Sequence, residues 1–234
     1  MNDKEIDGIL KNAKAVTGDP DPEVLRRIAD SIVPSLRPVR PLPPAWRMTG
    51  ALIAVCAAVS LAGALRVGLV GFDKMDLAQR VAVFSGLAIL VWAAARAMVA
   101  EMIPGSRRTV APVVLLAMSC VALAGLFALM FHDSSIENFV SIGLNCLLTG
   151  LLHAVPAALL SWLVLRRGFA MNAVAAGLLA GMLGGLAGVG MLELHCPNFE
   201  TAHLVVWHTA VVLLSAVLGA VTGLVARRLA RTIA

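Results

Sequence analysis

Long uninterrupted runs of apolar residues dominate this sequence. Each of six such runs can cross about 30 Å of hydrocarbon as a helix. They cover roughly residues 48–71, 79–102, 110–131, 138–165, 169–192 and 203–226. None alternates between apolar and polar residues as a half-buried strand does. Because backbone polar groups in lipid must be satisfied within each segment, helices are expected. The pattern predicts an all-α fold, with six transmembrane helices in residues 48–234 and a polar segment over residues 1–47.

Composition agrees with a membrane protein. Hydrophobic residues make up 59% of the 234 residues and charged residues 14%, which leaves too little polar surface for an ordinary soluble domain. The first 47 residues are polar and have no apolar stretch near the start, so we expect no cleavable signal peptide.

The positive residues indicate the orientation. Cytoplasmic loops of membrane proteins are rich in Lys and Arg. With the N-terminus inside, the inner flanks hold Arg37, Arg40, Arg47, Arg107, Arg108, Arg166, Arg167, Arg227, Arg228 and Arg231. The outer flanks hold mainly Arg66, Lys74 and Arg80, with acidic residues that include Glu193 and Glu200. We therefore expect an inner-membrane protein with both termini in the cytoplasm. Topology and contact with anionic lipid explain the net charge of +5, so direct nucleic-acid binding is not expected.

The N-terminal segment contains two short amphipathic patterns. Their apolar faces are formed by Ile6, Ile9 and Leu10 in the first and by Val24, Leu25 and Ile28 in the second. Helices this short are marginal alone and need a surface to lie against. One possibility is a groove on a partner protein. The other is the membrane surface or the second helix of the same segment. Residues 34–44, with five prolines, predict a stiff extended spacer.

Four cysteines divide into two groups. Cys56 and Cys120 lie in mid-helix positions typical of small buried hydrophobes. Cys146 and Cys196 lie toward the outer, oxidising side, where a disulfide can persist. Whether they form one depends on a Cα separation within about 7 Å.

The segment around Cys196 is rich in metal-ligand residues. His195, Cys196, His203 and His208 could bind a soft or borderline metal ion, although their spacing matches no known zinc motif. His203 and His208 are separated by about 140° on a regular helix, so we expect that the loop must fold over to bring them together. Redox or metal sensing, a structural disulfide, and interfacial anchoring by Trp207 and the histidines all remain open.

No catalytic pattern is present. The sequence has no P-loop, no dinucleotide-binding glycine motif and no paired intramembrane carboxylates, so an enzyme is not expected. His153 and Arg96 are the visible polar candidates for a transport path, which makes a small inner-membrane transporter or metal exporter the alternative function. Helix five carries Gly177, Gly181 and Gly188 among other small residues, and we expect it to be central in the bundle.

Several motifs together resemble one family. They are Leu36-Arg-Pro-Val-Arg-Pro-Leu-Pro-Pro44, Asn145-Cys146-Leu-Leu-Thr-Gly150 with Pro156 and Arg166-Arg167-Gly168 after it, and Leu194-His195-Cys196-Pro197 followed by Trp207-His208. In this order they resemble the NrsF family of six-helix bacterial membrane anti-sigma factors, the negative regulators of sigma F.

The resemblance implies a partner and a signal. The partner would be an extracytoplasmic-function sigma factor held by the N-terminal arm, and the signal would be heavy-metal or oxidative stress that requires Cys146 and Cys196. We expect no resident cofactor beyond transient binding of a soft metal ion.

Overall fold

A computed structural model describes residues 21–33, 42–103, 110–133, 138–165 and 172–233, together with Gly8. The chain divides into two compact units, Met1–Pro41 and Leu42–Ala234. Each unit is described by itself.

The first unit contains helix α1, Pro22–Ile32. Asp21 caps its start by accepting a hydrogen bond from the backbone N–H of Glu23 at 2.9 Å, and Pro22 occupies the first helical position, where no N–H is needed. No residue of α1 is buried. Val24, Leu25 and Ile28 are 47%, 50% and 48% exposed, so this apolar face is open. Ile6, Ile9 and Leu10 lie outside the described residues.

The described part of the second unit is almost entirely helical. They are α2 (Ala45–Val67), α3 (Val70–Lys74), α4 (Leu77–Met102), α5 (Pro112–Met130), α6 (Phe139–Leu165), α7 (Ala173–His195), α8 (Thr201–His203) and α9 (Thr209–Ile233). A π-helical turn, Leu204–His208, joins α8 to α9. The described residues contain no β-strand, only an isolated bridge between Asp133 and Glu200. The predicted all-α class is confirmed.

Among the described residues, six helices are long and apolar enough to cross a membrane. They are α2, α4, α5, α6, α7 and the continuous segment Thr201–Leu229, which combines α8, the π turn and most of α9. The chain is therefore a multi-pass membrane protein. The observed ends differ from the predicted ones by a few residues; α7, predicted over 169–192, begins after Asn172, whose side chain accepts hydrogen bonds from the N–H groups of Val174 and Ala175.

Helix α7 is the centre of the bundle, as predicted. Every residue from Ala175 to Glu193 is buried. Glycines let neighbouring backbones approach it directly, since a Cβ on Gly177 would collide with the carbonyl oxygen of Gly219 and one on Gly188 with that of Gly150. These contacts join α7 to α9 and to α6. Close backbone packing of this kind replaces the hydrophobic driving force that is missing between helices in lipid.

The connecting segments at one end of the bundle are tied to each other. At this end, the Cys196 end, α2, α5 and α7 finish while α4, α6 and α8 begin. The Thr201 hydroxyl donates to the carbonyl of Phe131 at 2.6 Å, and the Thr201 N–H donates to the carbonyl of Asp133 at 2.9 Å. Lys74 of α3 reaches the carbonyl of Pro197 at 3.5 Å. The segment after α7 is thus held in place by contacts with the residues after α5 and with α3.

Candidate functional site

Cys146 and Cys196 meet at the Cys196 end. Cys146 lies about two turns into α6 and is partly exposed, whereas Cys196 follows the last residue of α7 and is buried. The N–H of Cys196 still bonds to the carbonyl of Leu192 at 2.6 Å, which fixes its position at the helix end. The two Sγ atoms are 3.4 Å apart and both thiols are free. The structure therefore brings together the two cysteines that the sequence singles out.

Two histidines complete the cluster. Cys146, Cys196, His203 and His208 each contribute one potential ligand atom, and these four atoms lie within 4.8 Å of one another. Sγ of Cys196 is 3.7 Å from Nε2 of His203. The rings of His203 and His208 are in edge contact, with their centroids 5.2 Å apart. Both histidines are completely buried. We call these four residues the Cys2His2 cluster.

The π turn explains how His203 and His208 meet. The expectation that a loop must fold over to join them is wrong, because it assumes a regular α-helix. In the segment Leu204–His208 the backbone follows the wider π geometry, in which hydrogen bonds link residues five apart. Residues five apart then lie close to one another on the same side of the helix. A single irregular turn converts the His203-x4-His208 spacing into a pair.

Glu193 supports the cluster. Its carboxylate oxygen Oε1 lies 2.5 Å from Nδ1 of His208, and neither side chain has any exposed surface. Sequence reasoning missed Glu193, because it counts a charge at the end of an apolar run as part of a solvated flank. Helix α7 continues to His195, so Glu193 lies within the span. One feature of the sequence could have identified Glu193 as a site residue, namely its position three residues before Cys196.

Some buried polar atoms at the site have no hydrogen-bond partner among the described residues. They include Nε2 of His208, Nδ1 of His203 and Oε2 of Glu193. A buried polar atom without a partner is uncommon and costs free energy. Because Nδ1 of His208 is bonded to Glu193, Nε2 is the ring nitrogen that remains for a ligand.

The thiol of Cys196 is held in its neutral form. Its hydrogen bond with Cys146, together with burial, raises the pKa of the Cys196 thiol above its usual value, while the nearby histidines act in the opposite direction. The protonated thiol of Cys196 therefore predominates at neutral pH.

The other predicted residues lie elsewhere. His195 is outside the Cys2His2 cluster, and its Nδ1 lies 3.1 Å from the carbonyl oxygen of Gly68. Cys56 is buried with its thiol 3.6 Å from the carbonyl of Leu183, as expected for a small core residue. His153 hydrogen-bonds through Nδ1 to the carbonyl of Thr149, 2.9 Å away in its own helix, and Arg96 is exposed on α4. These contacts give no support to a transport path.

Comparison with known proteins identifies the family. No curated protein matches the chain, and no solved structure matches it. A family model described as NrsF, negative regulator of sigma F, matches residues 33–231. The match includes all six spans and the whole Cys2His2 cluster, and it begins after α1. The chain belongs to the NrsF family of negative regulators of sigma F.

Proposed function

We propose that this protein holds an extracytoplasmic-function sigma factor at the cytoplasmic face of the bacterial inner membrane through its N-terminal arm. A redox or heavy-metal signal at Cys146 and Cys196, on the opposite side of the membrane, then releases the sigma factor. The family already implies a regulator with a sigma factor as its partner.

The observation that carries this proposal is the 3.4 Å contact between the Sγ atoms of Cys146 and Cys196. The two residues belong to different spans, α6 and the end of α7. Any chemistry that joins the two sulfurs, or that places an ion between them, changes how these spans pack. A pair of thiols at a helix junction is therefore suited to act as a sensor.

The open face of α1 supports the role of the arm. Val24, Leu25 and Ile28 are exposed on a helix of 11 residues, a length at which an isolated helix is marginal in water. A groove on a sigma factor would cover this face and stabilise the helix on binding. Ile6, Ile9 and Leu10 would form a second contact of the same kind.

Helix α7 is suited to transmit the signal. Its outer end carries Cys196 and Glu193, and its inner half contacts α9 backbone to backbone at Gly177 and Gly219. Packed interfaces shift as units rather than deform gradually. A movement at Cys196 would thus reach the opposite end of the bundle, where α2 begins, as a rigid displacement. A complete switch from bound to free requires a difference of about 5.5 kcal/mol in affinity between the two states.

Co-purification tests the arm. The detergent-solubilised full chain should retain its sigma factor on an affinity resin, and a variant that lacks residues 1–41 should lose it. The deletion leaves the unit Leu42–Ala234 intact, so normal gel filtration of the variant serves as the control. Retention of the sigma factor by the truncated chain would refute the role of the arm.

A further inference from the structure

We propose that Cys146, Cys196, His203 and His208 together form a four-coordinate site for one soft or borderline divalent cation, such as Zn²⁺ or Cd²⁺. The inference deepens the proposed function and rests on it for the idea that the cation is a signal. It goes further by assigning the complete set of ligands.

The distances fit a tetrahedral site. With metal–sulfur bonds of about 2.3 Å and metal–nitrogen bonds of about 2.0 Å, neighbouring ligand atoms in a tetrahedron lie roughly 3.3–3.8 Å apart. The two Sγ atoms are 3.4 Å apart and Sγ of Cys196 is 3.7 Å from Nε2 of His203. All four ligand atoms lie within 4.8 Å of one another. Small side-chain adjustments are enough to close the site around an ion.

Glu193 provides an independent indication of a ligand. Histidines that bind metals usually donate their other ring N–H to a carboxylate, which fixes the orientation of the ring. His208 does so, with Nδ1 bonded to Glu193 and Nε2 buried without a partner among the described residues. A cation on Nε2 satisfies that atom.

The donor set selects the class of cation. Two sulfurs and two imidazole nitrogens favour Zn²⁺, Cd²⁺ and similar ions, whereas Mg²⁺ and Ca²⁺ prefer oxygen ligands. When the ion binds, each thiol loses one proton to solvent and becomes a thiolate. The two thiolates offset the two positive charges inside an apolar layer. Cys146 is partly exposed whereas the other three ligands are buried, so we expect the ion to arrive past Cys146.

The proposed metal site gives the π turn a function. The ligands come from three elements: α6, the end of α7, and the start of the last span. One ion would fasten these elements together at the Cys196 end. Only the π turn presents His203 and His208 to the same ion, and such irregular turns occur frequently at functional sites.

Cobalt binding tests the site directly. The full-length protein, reduced and purified without metal in detergent, should bind one Co²⁺ per chain with the visible absorption of a tetrahedral ion and a sulfur-to-cobalt charge-transfer band. Cd²⁺ should displace it. X-ray absorption of the Cd²⁺ form should show two sulfur and two nitrogen neighbours, a result that requires no variant.

Substitutions then test the two histidine ligands and the role of Glu193. His203→Gln and His208→Gln should each weaken Co²⁺ binding by at least about tenfold, and Glu193→Gln by about 10- to 100-fold through the orientation of His208. His195→Gln and Cys120→Ser are the matched controls, and they should bind like the unmodified chain. Thermal unfolding of each variant without metal identifies any that fails to fold.

Two outcomes would overturn the assignment. One is the absence of a tetrahedral cobalt spectrum, and the other is a shell of sulfur only, with both histidine variants binding as tightly as the unmodified chain. Sigma-factor capture by the same metal-free samples separates this inference from the proposed function. Normal capture without metal binding would refute the site alone, whereas metal binding without capture would refute the anti-sigma proposal alone.

Discussion

Glu193 and His208 form a completely buried pair, with 2.5 Å between the carboxylate oxygen Oε1 and the ring nitrogen Nδ1. The pair joins the last turn of α7 to the π turn. Removal of one partner from a buried pair leaves the other uncompensated, which typically costs about 3–5 kcal/mol. Replacement of both by apolar residues avoids much of that cost.

We therefore predict that the Glu193→Leu/His208→Phe double variant loses less stability than the sum of the losses of the two single variants. The double-mutant cycle, measured by thermal unfolding in detergent, should give a coupling of about 1–3 kcal/mol. Strictly additive effects would show that the two side chains do not stabilise each other.

The bundle was predictable from sequence because hydrocarbon thickness sets the length of each apolar run. The predicted topology put Cys146 and Cys196 toward the same side of the membrane, and the glycine pattern of α7 indicated its central position. Sequence reasoning failed at the π turn, since a fixed period of 3.6 residues separates His203 from His208. It also failed at Glu193, because a charged residue beside an apolar run usually reaches water, whereas this one is covered by the start of the last span.

Oxidation should join Cys146 to Cys196. The sulfurs are 3.4 Å apart, and a disulfide requires about 2.05 Å, a closure that modest side-chain movement can supply. Treatment with a mild thiol oxidant should reduce the number of alkylatable thiols under denaturing conditions from the four of the sequence by two. The Cys56→Ser/Cys120→Ser variant should lose all of its free thiols.

Two results would contradict the expected disulfide between Cys146 and Cys196. If oxidised protein retains every reactive thiol, or forms only bonds between chains, the two sulfurs do not meet in the membrane. Cys146→Ser should abolish the intramolecular product and serves as the control.

Close packing between α7 and α9 should be sensitive to a single methyl group. A Cβ on Gly177 meets the backbone carbonyl of Gly219, which cannot move aside as a flexible side chain can. Gly177→Ala should therefore lower the stability of the bundle by about 1–3 kcal/mol. Resistance to unfolding by heat or SDS gives the measurement.

Gly125 provides the matched control. It lies in the middle of α5, and a Cβ there meets nothing within 4 Å. Gly125→Ala should leave stability unchanged or raise it slightly, since alanine favours the helix. Equal losses at both positions would mean that the contact with Gly219 is not responsible.

A glutamate placed on either face of α1 tests which face binds the sigma factor. Leu25→Glu places a carboxylate on the exposed apolar face, whereas Arg26→Glu introduces the same side chain at the next position, on the polar face. We predict that Leu25→Glu weakens sigma-factor co-purification by at least about tenfold, because burial of an unpaired charge is costly. Arg26→Glu should have a much smaller effect. Similar losses for both variants would indicate that charge, rather than the apolar face, governs binding.

We propose above all that chemistry at Cys146 and Cys196 controls how tightly the sigma factor is held. The most direct measurement is the fraction of sigma factor that remains bound to proteoliposomes of the full-length protein before and after exposure of the Cys196 end to Cd²⁺ or a thiol oxidant. We predict release from the unmodified chain and continued retention by the Cys146→Ser/Cys196→Ser variant. Equal release from both would contradict this proposal.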